Sequence, residues 1–170
     1  MIDYSKLKLV VLDVDGTLTD GGIYYDSQGN EMKCFDVKDG LGIKLGMAAG
    51  LEFAIITGRV SPMVERRVKE LGIQHLVQGA QKKAPALREL MDSCGFEPDQ
   101  VAYMGDDLND LPAMKLVSIC ACPVDADDMI REMCVFVSEC PGGHGAVRDF
   151  IQTALQARGQ WKNLTETFYF

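Results

Sequence analysis

Short apolar segments alternate along the chain with longer segments that carry an apolar residue at each helical turn. Strands are predicted at 7–14, 52–57, 75–78, 101–105, 117–121 and 135–138. Helices are predicted between and after them, at 40–50, 62–72, 83–95, 108–116, 126–133 and 144–158. The strand segments are almost continuously hydrophobic, as in a parallel sheet covered on both faces. The alternation therefore predicts right-handed βαβ units and a doubly wound α/β sheet of the Rossmann-like type.

Two segments depart from this alternation. Residues 21–37, "GGIYYDSQGNEMKCFDV", hold two strand-like pieces around a turn and predict a small β-hairpin inserted after the first strand. Residues 159–170 show no helical period and are interpreted as an aromatic tail, with the hypothesis that exposed aromatic residues dock into a neighbouring subunit. Since no linker or low-complexity segment is present, a single domain over 1–170 is expected.

Composition narrows the classes of partner. The 25 acidic residues exceed the 17 basic ones and give a net charge of −8, which argues against a nucleic-acid binder. The apolar segments are too short to cross a bilayer, so no membrane partner is expected. The six cysteines form no C-x-x-C pair, and the first residues do not resemble a signal peptide. Reduced thiols in a cytoplasmic protein are therefore expected.

Polar residues follow the predicted strands at the points where ligands bind in open α/β sheets. In chain order they are Asp13 and Asp15, then Thr57, Gly58 and Arg59, then Lys83, then Asp106, Asp107 and Asp110. If the sheet is parallel, all of them meet at one edge. Clustered carboxylates repel unless a cation joins them or one takes a proton. We therefore expect a functional site at this edge.

This set of residues suits phosphoryl transfer. Asp13 and Asp106, with backbone or water oxygens, would offer the all-oxygen ligands that Mg²⁺ prefers. One free carboxylate could then attack phosphorus, and a second could move a proton to the leaving oxygen. Lys83, Thr57 and turn N–H groups could stabilise charge on the phosphoryl oxygens.

The motifs "DVDGT", "TG" after the second strand, Lys83 and "GDDLND" resemble those of the haloacid dehalogenase superfamily, in the same order. The resemblance implies that Asp13 is the nucleophile and that Asp15 is first general acid and then general base. An acid two residues after the nucleophile is typical of the phosphatases of this superfamily.

The same resemblance implies the remaining roles at the site. Thr57 and Lys83 would hold the phosphoryl group. Asp13, the backbone carbonyl of Asp15, and Asp106 would bind Mg²⁺. Asp107 and Asp110 would support the metal or Lys83.

The chain has no room for the cap domain that usually interrupts this fold. Its hairpin, "TGR", "GDDLND" and "GGHGAVRD" resemble the 3-deoxy-D-manno-octulosonate 8-phosphate phosphatase family. That resemblance implies a homotetramer in which neighbouring subunits close each active site. It also implies a small sugar acid phosphate as substrate.

Five residues are candidates for substrate binding. Arg59 suits the carboxylate of a sugar acid, because arginine binds carboxylates in bidentate fashion. Arg67 could reach the substrate or could simply belong to a solvated helix face, and His144 lies in a loop near the active edge in the family. Thr17 and Gly58 complete the candidates.

The residues alone leave three other functions open. A sister group of phosphatases hydrolyses nonulosonate 9-phosphates such as those of deaminated neuraminate and N-acetylneuraminate. It commonly carries Glu where this chain has Arg59, which favours the octulosonate here. A signalling receiver domain also uses an aspartyl-phosphate, but its phosphorylated Asp would end the third strand. A catalytically silent binding protein is the third alternative.

Overall fold

The computed structural model describes residues 2–169. Its strands are β1 (Leu9–Leu12), β2 (Tyr24–Tyr25), β3 (Glu31–Met32), β4 (Glu52–Ile56), β5 (His75–Val77), β6 (Val101–Met104), β7 (Ile119–Cys122) and β8 (Phe136–Val137). Its helices are α1 (Val37–Ala48), α2 (Pro62–Leu71), α3 (Lys83–Cys94), α4 (Leu111–Met114), α5 (Asp128–Met133), α6 (Ala146–Ala157) and α7 (Trp161–Tyr169). A short 3₁₀ helix, Pro98–Gln100, precedes β6.

The main sheet has six parallel strands in the order β5-β4-β1-β6-β7-β8. Chain order reverses beside β1, so the crevice at its carboxyl end is the expected place for a ligand. The predicted doubly wound α/β fold is confirmed.

Both faces of this sheet are covered, and β1 shows it most clearly. Val10 and Leu12 face a core that includes residues of α1, α2 and α6, whereas Leu9 and Val11 face a second core built with α3, α4 and α5. All four side chains are buried. Continuous hydrophobicity, rather than alternation, is the pattern that such a strand requires. Among the described residues, no helix combines the length and the apolar character needed to cross a membrane.

The predicted hairpin is present and stands outside the main sheet. Its strands β2 and β3 pair antiparallel, with Tyr24 opposite Met32. In the turn, the carboxylate of Asp26 accepts the backbone N–H groups of Gln28 and Asn30. The second strand of the hairpin ends at Met32, and Asp36 caps α1, which begins at Val37 rather than at residue 40.

The interpretation of the C-terminal segment as a tail without helical period is wrong. Residues 161–169 form α7, and Trp161 and Leu164, one helical turn apart, pack against the core of the same chain. The Arg148 guanidinium lies 4.8 Å from the centre of the Trp161 ring. Trp161 is therefore half-buried within its own subunit. The side chain of Phe168 and the whole of Phe170 lie outside the described residues.

Candidate active site

The carboxyl ends of β1, β4 and β6 meet around a cavity of about 320 Å³. Its lining residues are Asp13, Asp15, Gly21, Ile23, Thr57, Gly58, Arg59, Asp106, Asp107 and Asn109. Residues that are far apart in the chain therefore line one polar cavity, as expected from the predicted parallel sheet. The volume lies near the lower end of the range for small-molecule sites.

Lys83 lies beneath this cavity and joins two of the acids. Its Nζ atom is 2.8 Å from Oδ1 of Asp13 and 2.7 Å from Oδ1 of Asp110. The side chain is only 1% exposed, at the first residue of α3. Burial opposes its charge, but Asp13 and Asp110 outweigh that effect and raise the pKa of Lys83. A buried cation is thus fixed beside the carboxylate that was predicted to attack phosphorus.

Asp110 ties this lysine to the neighbouring loop. Its carboxylate accepts the Tyr103 hydroxyl at 2.7 Å and the backbone N–H groups of Asp106 and Asp107 at 3.2 and 3.4 Å. Asp110 is fully buried, and it does not line the cavity. Its position fits the support of Lys83 that was predicted for it.

Carboxylate oxygens of Asp13, Asp106 and Asp110 lie within 4.8 Å of one another. Burial, followed by repulsion from Asp110, raises the pKa of Asp13 to about 7 against the opposing effect of Lys83. Burial, followed by repulsion from Asp13 and Asp110, raises the pKa of Asp106 to about 8. One lysine does not balance these acids. Closely spaced, buried carboxylates that repel one another offer hard oxygen donors that fit a divalent cation such as Mg²⁺.

Glycine shapes the loop after β1. Gly16 has φ +95°, and a Cβ atom there would collide with the carboxylate of Asp106. Gly142, in the loop before α6, lies against the Gly16 carbonyl, and the Gly143 N–H donates to the Thr17 carbonyl at 3.0 Å. The "DGT" and "GGHG" motifs are therefore packed together.

The hairpin supplies charged side chains to the edge of the cavity. Lys33 Nζ pairs with Asp15 and lies 3.7 Å from Glu31, and Glu31 accepts Arg59 at 2.6 Å. The Lys33 side chain is 2% exposed, although it directly follows β3 of a hairpin that is not part of the main sheet. Neither Lys33 nor Glu31 was a candidate from sequence, because the sequence of a short hairpin does not show whether a charged residue on it is buried.

Comparison with known proteins agrees with this geometry. A family model described as haloacid dehalogenase-like hydrolase matches residues 42–117. The 3-deoxy-D-manno-octulosonate 8-phosphate phosphatase of Escherichia coli K12 is 42% identical over 156 residues, which cover 92% of this chain and 83% of that enzyme. The chain belongs to the haloacid dehalogenase superfamily. It is a phosphatase, which excludes the receiver domain and the silent binding protein.

Solved structures of similar phosphatases match over almost the whole chain. The enzyme from Moraxella catarrhalis, in complex with magnesium ion, phosphate ion and KDO, has a TM-score of 0.93 and 41% identity, covering 97% of each chain. The cobalt-bound enzyme from Haemophilus influenzae has a TM-score of 0.90 and 38% identity, covering 98% of this chain and 95% of that one.

Three of the residues predicted to bind substrate do not line the cavity. Thr17 is fully buried and donates its hydroxyl to Asp106 at 3.2 Å. Arg67 lies in a neighbouring pocket, where its guanidinium is 5.7 Å from the centre of the Phe35 ring. His144 is exposed on the loop before α6 and does not line the cavity. Of the five candidates, Gly58 and Arg59 line it.

Proposed function

We propose that this phosphatase hydrolyses 3-deoxy-D-manno-octulosonate 8-phosphate in a Mg²⁺-dependent reaction through an aspartyl-phosphate. The observation that carries the proposal is the buried Asp13–Lys83 pair at the floor of an acid-lined cavity. The similar Moraxella catarrhalis enzyme, described with magnesium, phosphate and KDO, supports the choice of substrate.

In the proposed reaction, Asp13 is the nucleophile. Its carboxylate attacks phosphorus, and the ester oxygen leaves with a proton from Asp15. Asp15 then takes a proton from the water that attacks the aspartyl-phosphate, which restores Asp13 and releases phosphate. Lys83 and Thr57 hold the phosphoryl oxygens, since Lys83 is a fixed cation beside Asp13 and Thr57 lines the cavity.

Asp13, the backbone carbonyl of Asp15, and Asp106 would hold the Mg²⁺ ion, with Asp107 supporting it from the exposed side. The raised pKa values of Asp13 and Asp106 support this assignment, because a bound cation favours the ionised carboxylates. When bound, the ion supplies charge neutralisation for a phosphate that enters among acids.

Arg59 is the residue we propose for recognition of the sugar acid. It lines the cavity on the hairpin side, and its only anionic partner among the described residues is Glu31. A substrate carboxylate could share this guanidinium, since arginine offers several donors in one plane.

We also propose that the enzyme works as a homotetramer. Residues 2–169 include no cap domain, and the hairpin beside the cavity exposes the apolar side chains Ile23, Tyr24, Tyr25 and Met32. Neighbouring subunits packed on these side chains would limit water around the reacting phosphate.

A phosphate-release assay on purified protein tests the proposal. It compares 3-deoxy-D-manno-octulosonate 8-phosphate with the 9-phosphates of deaminated neuraminate and N-acetylneuraminate, each with Mg²⁺ and after chelation. We expect the highest kcat/KM on the octulosonate and loss of turnover on chelation that added Mg²⁺ restores. Preference for a nonulosonate would overturn the substrate, and full activity after chelation would overturn the metal.

A further inference from the structure

Lys33 has an environment that its place in the chain does not explain. It follows β3 on a hairpin whose other side chains are largely exposed, yet its own side chain is 2% exposed. Its ammonium group pairs with Asp15 and approaches Glu31 at 3.7 Å. Burying a lysine is costly unless the charge is paired, so the position favours a specific use of that charge.

Lys33 pairs with Asp15, the carboxylate proposed to transfer protons. Asp15 lies at the open side of the cavity with 27% of its side chain exposed, and no other cation among the described residues pairs with it. The loop that carries Asp15 fixes its backbone, whereas Lys33 reaches the side chain from a different segment. Without Lys33, the Asp15 carboxylate would be free to rotate and would point away from the ester oxygen part of the time.

We propose that Lys33 is a positioning residue that holds the Asp15 carboxylate for proton transfer to the leaving group. The inference rests on the proposed function, because it takes Asp15 as the proton donor. During ester cleavage the proton moves from Asp15 to the leaving oxygen as the Asp13–phosphorus bond forms and the ester bond breaks. Asp15 is then a carboxylate until it takes a proton from the attacking water, and Lys33 stabilises that intervening state.

Glu31 lies between Lys33 and Arg59 and interacts with both. It accepts Arg59 at 2.6 Å and lies 3.7 Å from Lys33, so two cations and two carboxylates alternate along the edge of the cavity. The hairpin thus connects the residue proposed for substrate recognition with the residue proposed for proton transfer.

Leaving-group dependence tests this role and does not require the sugar substrate. The assay measures kcat/KM, which reports cleavage of the ester, on p-nitrophenyl phosphate and phenyl phosphate. The first has a good leaving group that needs little protonation, and the second depends on the acid. The variants are Lys33→Met, Lys33→Arg, Asp15→Asn and the double variant. Lys44→Met, at an exposed lysine of α1, is the matched control.

We expect Lys33→Met to lower kcat/KM about tenfold or more on phenyl phosphate and less than about threefold on p-nitrophenyl phosphate. Lys33→Arg should restore most of the loss, and Lys44→Met should change neither value. The double variant should be no worse than Asp15→Asn, because both changes remove the same proton transfer.

Equal losses on the two esters, or additive losses in the double variant, would overturn the role of Lys33. Lys33→Gln, checked by circular dichroism, gives the same comparison if Lys33→Met does not fold. If Asp13→Asn keeps its activity, the proposed mechanism itself fails, and that outcome is separate from any result at Lys33.

Discussion

Asp13 is the residue on which the proposed reaction depends. Asp13→Asn keeps the shape of the side chain and removes the attacking carboxylate, so turnover should fall by about 10⁴-fold or more. The fold should persist, because the change also removes repulsion with Asp106 and Asp110. Phosphate release measures the loss, and circular dichroism checks the fold. A variant with appreciable activity would show that Asp13 is not the nucleophile.

Arg59 separates recognition of the sugar acid from recognition of phosphate. Arg59→Ala removes a guanidinium at the edge of the cavity, whereas Lys83 and Thr57 remain in place. We expect kcat/KM on the sugar acid phosphate to fall by about 10- to 100-fold, as a lost charged hydrogen bond would produce. On p-nitrophenyl phosphate it should change little.

The matched control for Arg59 is Arg66→Ala, because Arg66 pairs with Glu70 on the exposed face of α2. That variant should behave like the unmodified enzyme on both esters. An equal loss on the two esters in Arg59→Ala would mean that Arg59 serves the phosphate instead.

At the scale of elements, Asp39 links α1 to the start of α6. Gly145, the residue before α6, has no side chain to cap the helix. Asp39 accepts the N–H groups of Gly145 at 3.3 Å and Arg148 at 2.8 Å instead. Burial nevertheless raises the pKa of Asp39 from 3.8 to about 6. The ionised form is therefore the costlier one in the folded protein.

A pH-dependent stability follows from this pKa. The contribution of Asp39 to the free energy of unfolding is greatest below about pH 4, falls as pH rises, and is lost above about pH 6. Over this range the free energy of unfolding should fall by about 3 kcal/mol. Urea unfolding at fixed protein concentration should show the difference between wild type and Asp39→Asn following that course. Asp92→Asn, on the exposed face of α3, controls for the loss of one charge. A difference that is constant from pH 4 to 8 would contradict the prediction.

The docking of α7 can be followed directly, because Trp161 is the only tryptophan in the chain. Leu164→Ala removes an apolar contact with the core and should lower the free energy of unfolding by about 1–2 kcal/mol. Asn163→Ala, on the exposed side of α7, should have little effect. Trp161 fluorescence should shift to longer wavelength when α7 leaves the core. Unchanged stability in Leu164→Ala would show that the helix is not docked this way.

The sequence predicts well those elements whose burial can be inferred from their own residues. β1 is buried on both faces, so its four apolar residues alone indicate a central strand. The helix α7 was missed because its contacts are two apolar residues, Trp161 and Leu164, against a surface made by distant segments. Lys33 was missed for the same reason, since its burial depends on its ion pair with Asp15, which lies in another segment of the chain.

At the scale of the whole molecule, the exposed apolar hairpin is the feature that a monomer does not explain. Met32 on β3 is 53% exposed beside Ile23, Tyr24 and Tyr25, and a methionine gains about 1.5–3 kcal/mol when it is fully buried. Met32→Glu places a charge in the proposed contact between subunits. Met129 on α5 is 57% exposed and away from the hairpin, so Met129→Glu is a control of the same chemistry.

We expect the unmodified protein to sediment as a tetramer and Met32→Glu to shift towards smaller species, with Met129→Glu unchanged. Because neighbouring subunits are proposed to close the cavity, kcat/KM of Met32→Glu should recover as its concentration rises and subunits reassociate. Sedimentation velocity and phosphate release over the same concentration range test both statements. A fully active monomer would show that catalysis at this cavity needs no neighbouring subunit.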